Sequence, residues 1–235
     1  MIKLINKILS KFNAALIKTM PHAEFKLKQK WYQSFNFKYI IDVGANAGQF
    51  AISVTKAFPD ATVYAFEPLP ETFNDLNNLF KDNHKVLPIN KGIGDKNTKE
   101  KFYINNFSPV SSLLEMTNKH KMLFPQSKNT QTLINVEIET LDTFFLDKTI
   151  EKALLKIDVQ GYEDKVLMGA NETLKKVDLI IVETSFKVLY KQQALFDDIY
   201  QILKQKDFIF YGVFNELVAG DIDEPIQIDA IFIKK

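Results

Sequence analysis

The sequence predicts an α/β domain built on a mostly parallel sheet, and three observations carry that prediction. From Tyr39 onward, short apolar runs alternate with amphipathic stretches long enough to be crossover helices. Several of those runs end in Asp or Glu beside glycine or proline, as buried parallel strands do where they enter a loop. The last two runs, DFIFYGVF and PIQIDAIFIK, alternate in polarity instead, which suits antiparallel strands at a sheet edge.

Taken in order, the chain opens with Ile2, Ile5, Ile8, Leu9, Phe12, Leu16 and Met20 at near-helical spacing, with Lys3, Lys7, Lys11 and Lys18 between them. A basic amphipathic helix of this kind either lies on an anionic membrane or packs its apolar face on the domain. Pro21 ends it, and a second short helix is expected over residues 23–35, making residues 1–38 a helical extension. YIIDV then reads as a buried strand, and QFAISVTKAF as a helix stopped by Pro59. ATVYAFEP is the next strand. Pro70 suits the first turn of a helix whose core face is Phe73, Leu76 and Phe80, and KVLPIN is a short third strand. KEKFYIN and NVEIET flank a polar loop from about residue 105 to 130. ALLKIDVQGYE returns to the strand-then-loop form, with a helix around residues 162–174. VDLIIVETSF is another apolar strand, and LFDDIYQILKQKD is amphipathic through Leu195, Phe196, Ile199, Ile202 and Leu203. No repeat or flexible linker interrupts residues 39–235, which are read as one domain.

Composition removes several function classes. With 46% hydrophobic and 25% charged residues the chain is ordinary globular protein, and no run approaches the roughly 18 apolar residues of a membrane span. Zero cysteines exclude disulfides, thiolate catalysis and sulfur-ligated metals, and His22, His84 and His120 lie too far apart for a local metal motif. All 30 basic residues are lysine, so no guanidinium fork is present for phosphate or guanine, and nucleic acid is not an expected partner. The net charge of +1 conceals an asymmetry: residues 1–38 carry +7 and the remainder −6. A cytoplasmic protein is expected, with peripheral membrane contact through residues 1–20 as a further expectation; their apolar face could equally support a homodimer.

In open α/β sheets ligands bind outside the carboxyl ends of the strands. The polar residues there are Asp42, Glu67, Asn90, Asp158 and Glu183. The first loop, DVGANAG, places glycines where backbone must turn sharply or approach a ligand, but lacks the third glycine of a dinucleotide fingerprint. Glu67 follows Gly48 by 19 residues and ends the next strand, where an acid accepts hydrogen bonds from ribose hydroxyls.

The segments IIDVGANAGQF, YAFEPLPETF, LLKIDVQGYE, VETSF and DAIFIK, in this order, resemble the FkbM family of S-adenosylmethionine-dependent methyltransferases. The resemblance implies a Rossmann-like sheet of seven strands with an antiparallel last strand. It implies that Asp42, Gly44, Asn46 and Gly48 line the methionine and ribose side of the cofactor and that Glu67 holds the ribose diol beside Pro68. Asn90 and Gly92 would lie near the adenine. The family commonly has Glu where this chain has Gln160. A sulfonium cofactor without phosphates needs no arginine, and the carboxylates at these strand ends suit its positive centre.

Methyl transfer to a neutral hydroxyl also needs a base within hydrogen-bond reach. Asp158 is the first choice for that base, with Lys156 two residues earlier on the same strand face to pair with or tune it, and Glu183 as a second acid. Asp158 and Glu183 could together hold Mg²⁺ or Ca²⁺, but two visible ligands favour the simple base. Glu163, at a helix start, suits the helix dipole. Ser111 and Ser112 resemble a serine pair of the family and are substrate contacts or turn residues; Tyr162 either stacks on a ligand or is core. His84 and His120 sit among polar neighbours and are expected to be exposed, though the loop holding His120 could fold over the site and make it a base. The leading function is O-methylation of a hydroxyl on a sugar, glycan precursor or secondary metabolite. A nicotinamide-dependent oxidoreductase and a non-catalytic binding or scaffold module are the alternatives.

Overall fold

The structure, a computed structural model, describes residues 22–105, 111–124, 132–219 and 224–235. The amphipathic segment at residues 1–20 and much of the 105–130 loop lie outside them. Seven strands form one sheet in the order β3-β2-β1-β7-β8-β10-β9. The parallel strands are β1 (Tyr39–Val43), β2 (Thr62–Phe66), β3 (Val86–Ile89), β7 (Ala153–Ile157) and β8 (Val177–Ser185). The last pair, β9 (Phe208–Ala219) and β10 (Glu224–Lys234), is antiparallel, with β10 between β8 and β9. The expected mostly parallel seven-stranded sheet with an antiparallel end is therefore present.

β1 and β7 are buried along almost their whole length, as continuous Ile/Leu/Val runs require when both sheet faces are covered. Two apolar layers do the covering. Ile41, Leu155, Ile180 and Phe232 pack with Val166, Leu167 and Ile199 on one side. Ile40, Val63, Leu154 and Ile181 pack with Val54, Leu76 and Phe80 on the other. The helices responsible are α3 (Gln49–Ala57), α4 (Pro70–Phe80, with Pro70 at its start), α7 (Glu163–Met168) and α8 (Phe196–Lys204). Before β1 lie two short helices, α1 (His22–Leu27) and α2 (Lys30–Gln33), where one was expected. Their Leu27 and Tyr32 join the second layer, and Trp31 stacks on Tyr211 of β9 at 4.8 Å.

A small second sheet, β4 (Gly92–Ile93), β6 (Thr132–Glu139) and β5 (Thr98–Ile104), stands beside the main one. Between β5 and β6 runs α5 (Asn118–Leu123), capped by the Thr117 side chain, and α6 (Leu141–Phe144) follows β6. The helix expected over residues 162–174 is shorter. α7 ends before Gly169, and a 3₁₀ turn covers Thr173–Lys176. A Cβ at Gly169 would lie 2.0 Å from the Gly94 carbonyl oxygen, so the two segments cross where only glycine fits. None of the helices among the described residues is long and apolar enough to cross a membrane.

Candidate active site

A cavity of about 540 Å³ opens at the carboxyl ends of the parallel strands. Parallel pairing sets Asp42 of β1 beside Lys156 of β7 and Ala65 of β2, so the sheet itself lines up the polar strand ends. They run as a row: Glu67 after β2, Asp42 on β1, Lys156 and Asp158 at β7, Glu183 on β8 and Gln227 on β10.

The loop after β1 forms the wall at one end. The Gly44 and Ala45 amides donate to the Phe66 carbonyl at 3.1 and 2.9 Å, pinning the loop to β2. Gly44 has φ +85°, and a Cβ there would come within 1.9 Å of the Asp158 carbonyl oxygen. The glycine lets the β1 and β7 loops touch. Glu67 accepts from the Asn46 amide at 3.0 Å and the Leu69 amide at 2.9 Å, and the Asn90 side chain donates to the Glu67 carbonyl oxygen at 2.9 Å. Burial pushes the Glu67 carboxyl up to about 7 against those two backbone bonds. Asp42 is likewise raised to about 7 by burial, with Lys156 opposing. Its Oδ2 is buried without a hydrogen-bond partner.

The centre of the row is a charge cluster. Lys156 Nζ lies 3.2 Å from Asp158 Oδ2 and 3.0 Å from Asp229 Oδ1. Burial would lower its pKa, but Asp158, Asp229 and Glu183 overcome that and raise it. The Gln160 amide donates to Asp158 Oδ1 at 2.9 Å and to Glu183 Oε2 at 3.0 Å, while its oxygen accepts from the Tyr190 hydroxyl at 2.9 Å. Glu183 is pushed well above the usual carboxylate range, first by burial and then by the neighbouring carboxylates Asp158, Glu163 and Asp229. Glu163 closes the loop below, accepting from the Val159 and Gly161 amides at 3.1 Å each. It is thus a loop clamp as well as a first-turn acid.

Of the residues read from sequence, Asp42, Gly44, Asn46, Glu67, Pro68 and Gly92 line this cavity, and so do Lys156, Asp158, Glu183 and Ser111. Gly48, with φ +90°, instead faces Leu76 and Phe80 under the loop, and Asn90 braces Glu67 from outside. Ser112 ties the loop down, donating to the Gln160 carbonyl at 2.7 Å. Tyr162 lies in a separate pocket with Glu100 and Gln192.

The expected exposure of His120 is wrong. The imidazole is buried between the Phe124 and Tyr190 rings, lines the cavity, and is lowered to about 4 by that burial. The polar setting of α5 in sequence hid the fact that one of its faces turns inward. Gln160, Tyr190, Gln227 and Asp229 escaped sequence reasoning as site residues. The alternation of PIQIDAIFIK put Gln227 and Asp229 on one strand face, which was the available signal. No group of three or more His, Asp or Glu among the described residues could hold a metal ion.

A sequence profile described as "Methyltransferase FkbM domain" matches residues 42–210. The chain is 26% identical over 190 residues to the 2-O-methyltransferase NoeI of Sinorhizobium fredii, covering 78% of this chain and 77% of that protein. It is 28% identical over 177 residues to the hexuronic acid methyltransferase AglP of Haloferax volcanii, covering 72% and 67%. The chain spans 64–77% of the length of the first three curated relatives it matches and only 8% of a much longer one. Among solved structures it superposes on Methyltransferase FkbM from Methylobacillus flagellatus with a TM-score of 0.53 at 13% identity, covering 84% of this chain and 44% of the other.

Proposed function

Because the chain belongs to the FkbM methyltransferase family, we propose that it is an S-adenosylmethionine-dependent O-methyltransferase acting on a hydroxyl of a sugar or glycan precursor. The observation that carries this reading is the single row of strand-end residues. A cofactor-type half over β2 and β1 adjoins an acid–base half over β7 and β8 in one cavity. The named sugar specificity of AglP supports the acceptor class.

The residues fit the cofactor. Asp42 Oδ2 is buried without a hydrogen-bond partner, Glu67 lines the cavity and would accept from the ribose hydroxyls, and Phe66, Ile93 and Leu69 would supply an apolar wall for a base. When bound, S-adenosylmethionine supplies an electrophilic methyl group on a positively charged sulfur. The chain does the rest. Gly44 brings the loop walls together, Glu67 would hold the ribose hydroxyls, and the carboxylates would favour positive charge at the centre. Asp158, held from two sides by Lys156 and Gln160, takes the proton of the acceptor hydroxyl on a carboxylate oxygen. Most of the acceleration comes from holding the hydroxyl oxygen at near-attack distance.

Isothermal titration with S-adenosylmethionine, S-adenosylhomocysteine and NAD tests the reading. The first two bind and NAD does not; Asp42→Ala abolishes binding, whereas Asp158→Ala keeps it and stops methyl transfer to a hydroxylated acceptor. Binding of NAD alone overturns the proposal.

A further inference from the structure

Among the described residues, two buried side-chain polar atoms lack a hydrogen-bond partner, Asp42 Oδ2 and Gln227 Nε2, and both residues line the same cavity. They stand in different halves of the row: Asp42 on β1 in the cofactor half, Gln227 on β10 in the half that holds Asp158 and Glu183. A buried amide N–H left unpaired costs free energy, so a ligand that brings an oxygen to Gln227 recovers it. The side chain is only 5% exposed, and β10 is pinned between β8 and β9, so the donor is held in place.

The cations lining the cavity are already engaged. Of the described lining residues, Lys91 and Lys156 are the cations. Lys91 is engaged by Glu139 at 2.7 Å and Lys156 by both Asp158 and Asp229. His120, lowered to about 4, is neutral near pH 7. The same cavity is lined by the carboxyl groups of Asp158 and Glu183, a neutral imidazole, and the apolar side chains of Phe102, Phe124 and Leu217, the last being the β9 partner of Gln227. A carboxylate on the acceptor would meet the Asp158 carboxylate, whose one paired cation, Lys156, is already shared with Asp229. An uncharged ring with one apolar face and outward hydroxyls meets what each wall offers.

We propose that the β7–β8–β10 half of the cavity is an acceptor subsite for an uncharged hydroxylated ring, such as a neutral hexoside, with Gln227 donating to one of its oxygens. The proposal rests on the methyltransferase reading for the identity of the other half. It separates this chain from a hexuronic acid methyltransferase by the charge of the acceptor.

The test uses the full chain saturated with S-adenosylhomocysteine and follows ligand binding by NMR titration. The probes are the methyl glycosides of glucose, galactose and mannose, and those of glucuronic and galacturonic acid. At least one neutral glycoside binds, the uronates bind at least about tenfold more weakly, and Gln227→Ala weakens the neutral glycoside by about tenfold. Gln227→Glu, which keeps the shape and removes the donor, does the same, and both variants bind S-adenosylhomocysteine as the wild type does. Equal or tighter uronate binding, unchanged glycoside affinity in both variants, or the absence of any neutral glycoside binding overturns the subsite. Failure of S-adenosylhomocysteine to bind the wild type overturns the cofactor reading instead.

Discussion

Asp42 concentrates the cost of the site in one side chain. Its carboxyl is raised by burial to about 7, above its ordinary value near 3.8, so between those values the folded protein holds a proton there that the unfolded chain has released. The stability tied to that proton is complete below about pH 4 and is lost as pH rises through about 7. Asp42→Asn removes the charge and keeps the shape. The variant should therefore melt higher than wild type at pH 8, by about 1 kcal/mol in stability, with the gain fading toward pH 4. Thermal melts at both pH values check this, and calorimetry on the same variant should show lost cofactor affinity. A gain independent of pH would place the effect elsewhere. Asp42, Glu67 and Asp158 were legible because acids at successive strand ends form a pattern. Gln160 and Tyr190 were not, since their value lies in one amide joining the nearby Asp158 to a carboxylate and a hydroxyl 23 and 30 residues distant.

At the level of elements, the approach of the β1 and β7 loops is the tightest constraint. Gly44→Ala meets both a positive φ and the Asp158 carbonyl, so it should cost about 1–3 kcal/mol and weaken the cofactor site. Gly212→Ala on β9 meets nothing within 4 Å and serves as the matched control, neutral or stabilising by up to about 1 kcal/mol. Urea unfolding of the pair measures the difference; similar values for both would mean the loops can separate freely. Strand and helix order were readable from apolar runs, because burial on both faces leaves no other composition for β1, β7 and β8. Where elements stop was less readable. The end of α7 is set by the crossing of Gly169 over Gly94, and the inward turn of His120 by contact with Tyr190, neither of which is a local property.

On the scale of the molecule, the segment before β1 is bound into the core. Leu27, Tyr32 and Phe37 are buried with Phe58 and Phe214, and side chains of this size each contribute about 2–4 kcal/mol when fully packed. Their sum is comparable to the whole stability of an ordinary domain. Removing residues 1–37 should abolish cooperative unfolding and solubility. Trp31→Ala, which loses the stack on Tyr211, should lower the melting temperature by only a few degrees. A truncated chain with an unchanged calorimetric transition would make this segment accessory. The basic character of residues 1–38 was evident in the sequence. The docking of aromatic residues from 31–37 onto β9 was not, because it joins segments about 180 residues apart.

The placement of β10 between β8 and β9 has a consequence for synthesis. On a ribosome β9 emerges before β10, its one neighbour in the sheet, and it carries exposed Phe210, Tyr211 and Val213 even in the finished fold. Until β10 threads into the gap, a twelve-residue apolar strand waits with both edges open. That interval is when a nascent chain is most exposed to pairing with its neighbours on the same polysome, and when a holding chaperone would have most to bind.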